Sequence, residues 1–91
     1  MNTQEKVLEE VRIEELLSNQ NVIVLFNDDV NTFDHVIDTL VDVCQHDPLQ
    51  AEQCAFIVHY KGKCEVKSGS MKELLPMCTA LLDSGLSAEI Q

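Results

Sequence analysis

The most constraining feature of the sequence is a five-residue apolar run, VIVLF at 22–26, followed directly by NDDVNTFDHV at 27–36. A run this short and this rich in β-branched residues predicts a buried strand. The polar stretch marks the end of the strand and the start of a helix. We predict Asn31 as the N-cap of a helix over about 32–44, with Asp34 in its first turn, where a negative charge is favourable.

A second helix is predicted directly after the first. Asp47 is its expected N-cap, and Pro48 fits its first turn, where a missing N–H group costs little. Gly62 is the expected end of this helix. Alternating charged and apolar residues in KCEVK, 63–67, then predict a half-exposed strand.

The rest of the chain predicts a turn at 68–70, a third helix over about 70–83 that Gly85 ends, and a last strand, LSAEI, at 86–90. Pro76 is tolerable only within or near the first turns of that helix. The apolar residues at helical spacing are Phe33, Val36, Ile37, Leu40, Val41 and Cys44; Ala51, Cys54, Ala55, Ile57 and Val58; and Leu74, Met77, Cys78, Leu81 and Leu82.

The order strand, helix, helix, strand, helix, strand predicts an α+β fold, in which helices cover one face of a small three-stranded sheet. The chain has 91 residues, which is enough for one domain. We expect that domain to span 21–91. Residues 1–20 are polar and acidic, and we expect them to form a flexible extension.

Charge and composition exclude several classes of function. The net charge of −10 argues against nucleic acid as a partner, because it repels phosphate. No apolar run approaches the roughly 18 residues of a membrane span. The first ten residues, MNTQEKVLEE, do not resemble a secretory signal, so we expect a cytoplasmic protein. We also expect it to be a monomer.

The cysteines and histidines do not predict a metal site or a cofactor. Cys44, Cys54, Cys64 and Cys78 form no C-x-x-C pair, so we interpret them as reduced thiols that fill the core. The histidines, at positions 35, 46 and 59, are too far apart in sequence for a local metal motif.

The acceptors at 27–36 have four interpretations: a calcium loop, an acid/base site, a helix cap and a pocket for a cation. A calcium loop needs a turn glycine and a distal glutamate, which are both missing. Asp28 and Asp29 are adjacent and point opposite ways in extended chain, which argues against paired catalytic carboxylates. The cap leaves Asn27, Asp28 and Asp29 unexplained.

The chain resembles the ClpS family of adaptors, which pass substrates to Clp AAA+ proteases. The resemblance rests on VIVLFNDDVNTFDHVIDTL at 22–40 with VHYKGK at 58–63, and it covers residues 22 to about 67. It implies three helices on a three-stranded antiparallel sheet and an adaptor rather than an enzyme. The implied partners are the N-terminal domain of a ClpA- or ClpC-type ATPase and proteins that begin with Phe, Tyr, Trp or Leu.

The resemblance also implies a substrate-binding site for an N-terminal degradation signal, the N-degron of the N-end rule. The α-amino group would contact Asn27, Asp28, Asp29 and His59. The first side chain would lie among Asn31, Phe33, Val36 and Val58, with Leu86 or Gly85 closing the pocket. No catalytic or metal-binding residue is implied.

Three departures from the family pattern affect specificity and docking. Phe33 stands where many members have Met, and Asn31 stands where Thr is common. The Glu-Thr-Lys run that some members use near the ATPase is missing, so docking residues are not assigned. Two alternatives stay open: an interaction module of similar fold that does not read N-termini, and a small hydrolase.

Overall fold

The fold is described by a computed structural model of the protein, which covers residues 20–91. It contains strand β1 (Asn21–Phe26), helices α1 (Phe33–Cys44) and α2 (Pro48–Lys61), strand β2 (Lys63–Gly69), helix α3 (Met71–Asp83) and strand β3 (Ser87–Ile90). This order confirms the predicted α+β class. The predicted extension, 1–20, lies outside the described residues except for Gln20.

The three strands form one antiparallel sheet in the order β2-β1-β3, so β1 is the central strand. The register of β1 with β2 shifts between Ile23 and Val24, which pair with Lys67 and Glu65 and leave Val66 as the extra residue of a bulge. The Val66 carbonyl accepts a hydrogen bond of 2.6 Å from Nε2 of the buried His46. The link between α1 and α2 is thereby fixed to the sheet edge.

The N-cap of α1 is Thr32. The prediction of Asn31 at this position was wrong. The Thr32 hydroxyl accepts a 3.1 Å hydrogen bond from the backbone N–H of His35. Asn31 is engaged in other contacts, with its side-chain amide donating to Asp28 and to the Gly85 carbonyl. Asp34 lies in the first turn of α1, as predicted.

The caps of α2 agree with the sequence. The Asp47 side chain accepts from the backbone N–H of Gln50 at 2.9 Å, Pro48 is the first helical residue, and Gly62 ends the helix with a φ of 89°. That positive φ lets the chain turn sharply from α2 into β2, and it is a conformation that glycine adopts without steric cost.

The third helix and its neighbouring strand differ slightly from the predicted bounds. β2 continues to Gly69, and Ser70 is the N-cap of α3 rather than part of a free turn. Pro76 is the sixth residue of α3, in its second turn, so it provides no N–H group for the carbonyl four residues earlier. β3 begins at Ser87, one residue later than predicted.

The core lies between the helices and the inner face of the sheet. Three residues of the predicted apolar helix faces are exposed: Phe33 is 38% exposed, Ile57 is 41% exposed and Leu82 is 51% exposed. Ile57 and Leu82 lie beside the buried stripe of their helix, which is set by residues three or four apart. The buried core cluster consists of Ile23, Leu25, Leu40, Cys44, Ala51, Cys54, Val58, Val66, Leu74, Cys78, Leu81 and Leu86.

All four cysteines are free, and Cys44, Cys54 and Cys78 are buried, as the sequence predicted. Cys64 is half-buried. Within residues 20–91 no group of three His, Cys, Asp or Glu side chains is arranged to hold a metal ion. In the same range, no helix has the length and hydropathy needed to cross a membrane.

Candidate functional site

The loop between β1 and α1 is organised by the Asp28 carboxylate. Its Oδ1 accepts hydrogen bonds from the backbone N–H groups of Val30 at 3.0 Å and Asn31 at 2.9 Å. Its Oδ2 accepts from the Asn31 side-chain amide at 2.8 Å. A carboxylate has about four acceptor positions, so Asp28 uses most of them to hold the loop and has about one left for a ligand.

These contacts also determine the charge of Asp28. Partial burial pushes its pKa upward, but the hydrogen bonds from Asn31 and Val30, together with the nearby His35, outweigh burial and hold the pKa below its ordinary value. The carboxylate is therefore ionised at neutral pH, and the loop presents a negative charge.

Two side chains connect this loop region to the turn that precedes β3. The Asn31 amide donates to the Gly85 carbonyl at 2.9 Å, and the His35 ring donates from Nε2 to the Ser84 carbonyl at 2.8 Å. Gly85 has a φ of 88°, which allows the chain to turn directly from α3 towards β3. As a result, Leu86 is buried beside the loop.

Asn27 and His59 are far apart in sequence, and the pairing of β1 with β2 brings them together. Phe26 pairs with Lys63, and the Asn27 backbone N–H donates to the Gly62 carbonyl at 2.9 Å. Gly62 in turn donates to the Val58 carbonyl at the end of α2. The last turn of α2, with His59, is therefore held next to the start of the loop.

A cavity of about 50 Å³ lies where the loop, α1, α2 and the turn before β3 meet. This is room for a few water molecules, since one needs about 10–15 Å³. The floor is apolar and buried, whereas Asn27, Phe33 and His59 are exposed at the mouth. The lining consists of Leu25, Phe26, Asn27, Asp28, Asn31, Phe33, Val36, Ala55, Val58, His59 and Leu86.

Eight of the nine side chains that the sequence analysis singled out line this cavity, and Asp29 does not. Asp29 is exposed on the loop. Between Leu86 and Gly85, which were both candidates for closing the pocket, Leu86 is the residue in the lining.

Three lining residues were missed: Leu25, Phe26 and Ala55. Ala55 precedes Val58 by three residues and so lies on the same helical face, a signal that was available in the sequence. For Leu25 and Phe26 the sequence gives no such signal, because any residue of a buried strand has the same pattern.

Aromatic contacts hold the rim of the cavity. The Phe33 ring lies 5.1 Å from the His59 imidazole and 5.2 Å from the Phe56 ring, measured between centroids. Tyr60 contacts His59 edge-on at 5.0 Å. Such tilted arrangements are favourable for aromatic pairs. The His59 ring is therefore held between Phe33 and Tyr60.

The fold and the sequence were compared with known proteins. Among solved structures, Agrobacterium tumefaciens ClpS2 bound to L-phenylalaninamide is similar with a TM-score of 0.72 and 17% sequence identity, over 78% of this chain and 93% of that one. At this identity the likeness shows a common fold. No curated protein sequence matches.

Most of the chain matches one protein family. Residues 18–89 match the family described as ATP-dependent Clp protease adaptor protein ClpS. The match extends beyond the two motifs at 22–40 and 58–63 into α3 and β3. It agrees with the three helices on a three-stranded antiparallel sheet, so the chain belongs to the ClpS family of Clp protease adaptors.

Proposed function

We propose that this adaptor binds proteins with a bulky hydrophobic N-terminal residue and delivers them to a Clp AAA+ ATPase of the ClpA or ClpC type in the cytoplasm. The observation that carries the proposal is the composition of the cavity. Asn27, Asp28 and His59 line the same cavity as Val58 and Leu86. Polar acceptors and an apolar floor therefore meet in one small site.

The acceptors suit an α-amino group. A protonated amine has donors only, so a favourable host offers an amide oxygen, a carboxylate and an imidazole nitrogen. We assign these roles to Asn27, the remaining acceptor of Asp28, and His59. Asp29, which lies outside the lining, contributes its charge to the rim rather than a direct contact.

The apolar floor suits the first side chain of the bound protein. Each charge-assisted hydrogen bond is worth about 1.5–3 kcal/mol, and burying a Leu or Phe side chain adds about 1.5–3 kcal/mol. After the cost of association, a dissociation constant near 1 μM, about −8 kcal/mol, is a reasonable sum. This affinity needs both the hydrogen bonds to the α-amino group and the burial of the first side chain. The site therefore selects proteins that have a free N-terminus and a large apolar first residue.

The similar structure of ClpS2 supports this assignment, since that protein is bound to L-phenylalaninamide. This small molecule carries a free α-amino group and a phenylalanine side chain. In the present chain the cavity is small, and Phe33 stands at its mouth. We therefore propose that Phe33 sets the size of the accepted side chain and moves when an aromatic residue enters.

A peptide panel tests the proposal. Peptides that begin with Phe, Tyr, Trp or Leu should bind to the full-length protein, and fluorescence anisotropy measures the affinity. N-acetylated copies and peptides that begin with Ala, Ser or Glu should not bind. Equal binding of acetylated and free peptides would show an interaction module that does not read N-termini, and turnover of a peptide would show a hydrolase.

A further inference from the structure

A row of aromatic rings leads away from the cavity along α2. It consists of Phe33, His59, Phe56 and Tyr60, and we call it the aromatic row. Phe33 and His59 line the cavity, whereas Phe56 and Tyr60 lie outside it. Phe56 and Tyr60 are stacked nearly parallel, with an interplanar angle of 8° and centroids 6.2 Å apart. Phe33 and Tyr60 each contact both Phe56 and His59, so the four rings form one continuous group that extends from the cavity lining to the exposed surface.

The outer part of the row faces solvent. Phe56 is 44% exposed and Tyr60 is 76% exposed. Phe56, His59 and Tyr60 are spaced by three and four residues, so they share one face of α2. Exposed large rings that adjoin one another, rather than being scattered, are typical of a binding surface.

The charge around the row favours a cation. The protein has a net charge of −10, and Asp28, Asp29 and Asp34 lie in the loop and the first turn of α1, on the same segment as Phe33. The basic residue nearest to Tyr60 in sequence is Lys61, in the last turn of α2. The faces of Phe and Tyr rings attract cations, and arginine adds stacking of its planar guanidinium group. The segment that carries Phe33 thus supplies the negative charge, and the rings supply faces on which a planar cation can stack.

We propose that the aromatic row binds an arginine side chain from one of the two residues that follow the first residue of the bound protein. This inference rests on the proposed function, because the bound N-terminus places those residues at the mouth of the cavity. An extended chain advances about 3.3–3.6 Å per residue, so the steps of 5.2 and 6.2 Å between rings correspond to about one and a half to two residues each.

The test compares peptides that differ only after a first leucine. Peptides that begin Leu-Arg, Leu-Lys, Leu-Ala and Leu-Glu, and a pair that begin Leu-Ala-Arg and Leu-Ala-Ala, are titrated with the full 91-residue protein. The arginine peptide of at least one pair should bind about two- to fivefold more tightly than its alanine counterpart. Lysine should give a smaller gain, because it has the charge without the planar face.

Variants of the outer rings separate stacking from charge. In Phe56→Leu/Tyr60→Leu, which keeps apolar bulk and helix propensity, the arginine-to-alanine affinity ratio should fall to about one. Leu75→Ala, which removes another exposed apolar side chain from α3, is the matched control and should keep the wild-type ratio. If urea unfolding shows that the double variant is unstable, the affinity ratio is measured with Tyr60→Leu alone.

Each outcome decides between the proposals. An unchanged ratio in the ring variants would assign the preference to long-range charge and overturn the aromatic subsite. Equal affinity of arginine and alanine peptides for the wild-type protein would overturn it as well, with the cavity proposal intact. If no free-terminus peptide binds, both proposals fail.

Discussion

At the scale of single residues, the polar groups of the candidate site differ in how many of their hydrogen-bonding positions are used by the protein itself. Most acceptor positions of the Asp28 carboxylate are occupied by hydrogen bonds from its own loop. Asn27 and His59 are exposed at the mouth and can be reached by a ligand. Binding should therefore depend on these two side chains while folding does not.

Asn27→Ala and His59→Ala are each expected to weaken the binding of a Leu- or Phe-initiated peptide by about tenfold or more, because each loses one hydrogen bond to a charged donor. The melting temperature should stay nearly constant, since both side chains are exposed. Titration calorimetry and thermal unfolding measure the two effects. A folded His59→Ala variant with full affinity would remove His59 from the site.

The buried thiols predict a loss of stability in alkali. Burial raises the pKa of Cys44 to about 11 and that of Cys54 to about 12, whereas unfolded thiols titrate near ~8.5. Above about pH 9 the unfolded chain therefore releases protons that the folded chain keeps. The free energy of unfolding should decrease as pH rises, by on the order of 1 kcal/mol per pH unit for each thiol.

Urea unfolding at pH 8 and pH 10 measures this slope. Other groups also contribute over this pH range. The informative quantity is therefore the difference between the wild-type protein and Cys44→Ala/Cys54→Ala in the change of unfolding free energy from pH 8 to pH 10. That variant should be less stable at pH 8 but lose less stability on going to pH 10. An equal loss in both proteins would contradict the expected effect of the thiols.

At the scale of the elements, adjacent residues of the loop before α1 have different structural roles. Thr32 caps the helix, which frees Asn31 to connect Asp28 to the Gly85 carbonyl. Asn31 thus holds the turn before β3 against the loop, and both contribute to the cavity. Asn31 and Thr32 are adjacent and both polar, but Thr32 caps the helix whereas Asn31 connects two loops.

Paired substitutions distinguish the two tasks. Thr32→Ala should lower the free energy of unfolding by about 1 kcal/mol through loss of the cap, with a small effect on peptide affinity. Asn31→Ala should weaken binding more than Thr32→Ala, because the walls of the cavity lose their connection. Urea unfolding and peptide titration of both variants provide the comparison. The reverse ranking of affinities would show that the helix start governs the site.

At the scale of the whole molecule, every residue that lines the cavity lies between 25 and 86. Deleting residues 1–20 should therefore change peptide affinity by less than about twofold, since no contact assigned to the peptide is removed. We expect the same deletion to impair degradation by a Clp ATPase with its peptidase. Residues 1–20 occupy the position of the N-terminal extension in the family that the sequence resembles, and the resemblance implies a role in delivery for that extension.

Degradation of a fluorescent substrate measures delivery, and anisotropy measures binding. A chain with residues 1–20 scrambled, so that length and charge are kept, is the matched control. Full degradation by the truncated protein would mean that the segment only aids solubility.

The sequence by itself determined the elements, because local signals suffice for them. Asp47, Pro48 and Gly62 define α2, the alternation at 63–67 defines β2, and the run at 22–26 defines β1. The prediction of Asn31 as the N-cap of α1 was wrong. Its side-chain amide instead donates to Asp28 and to the Gly85 carbonyl, which is distant in the chain.

Only the tertiary structure decided how the site is assembled. Asn27 and His59 line one cavity because β1 and β2 pair in one register, and Leu86 lines it from the turn at Gly85, which Asn31 holds. It also placed Asp29 outside the lining and added Ala55. Residue types report local preferences, whereas a cavity depends on packing between segments that lie far apart in the chain.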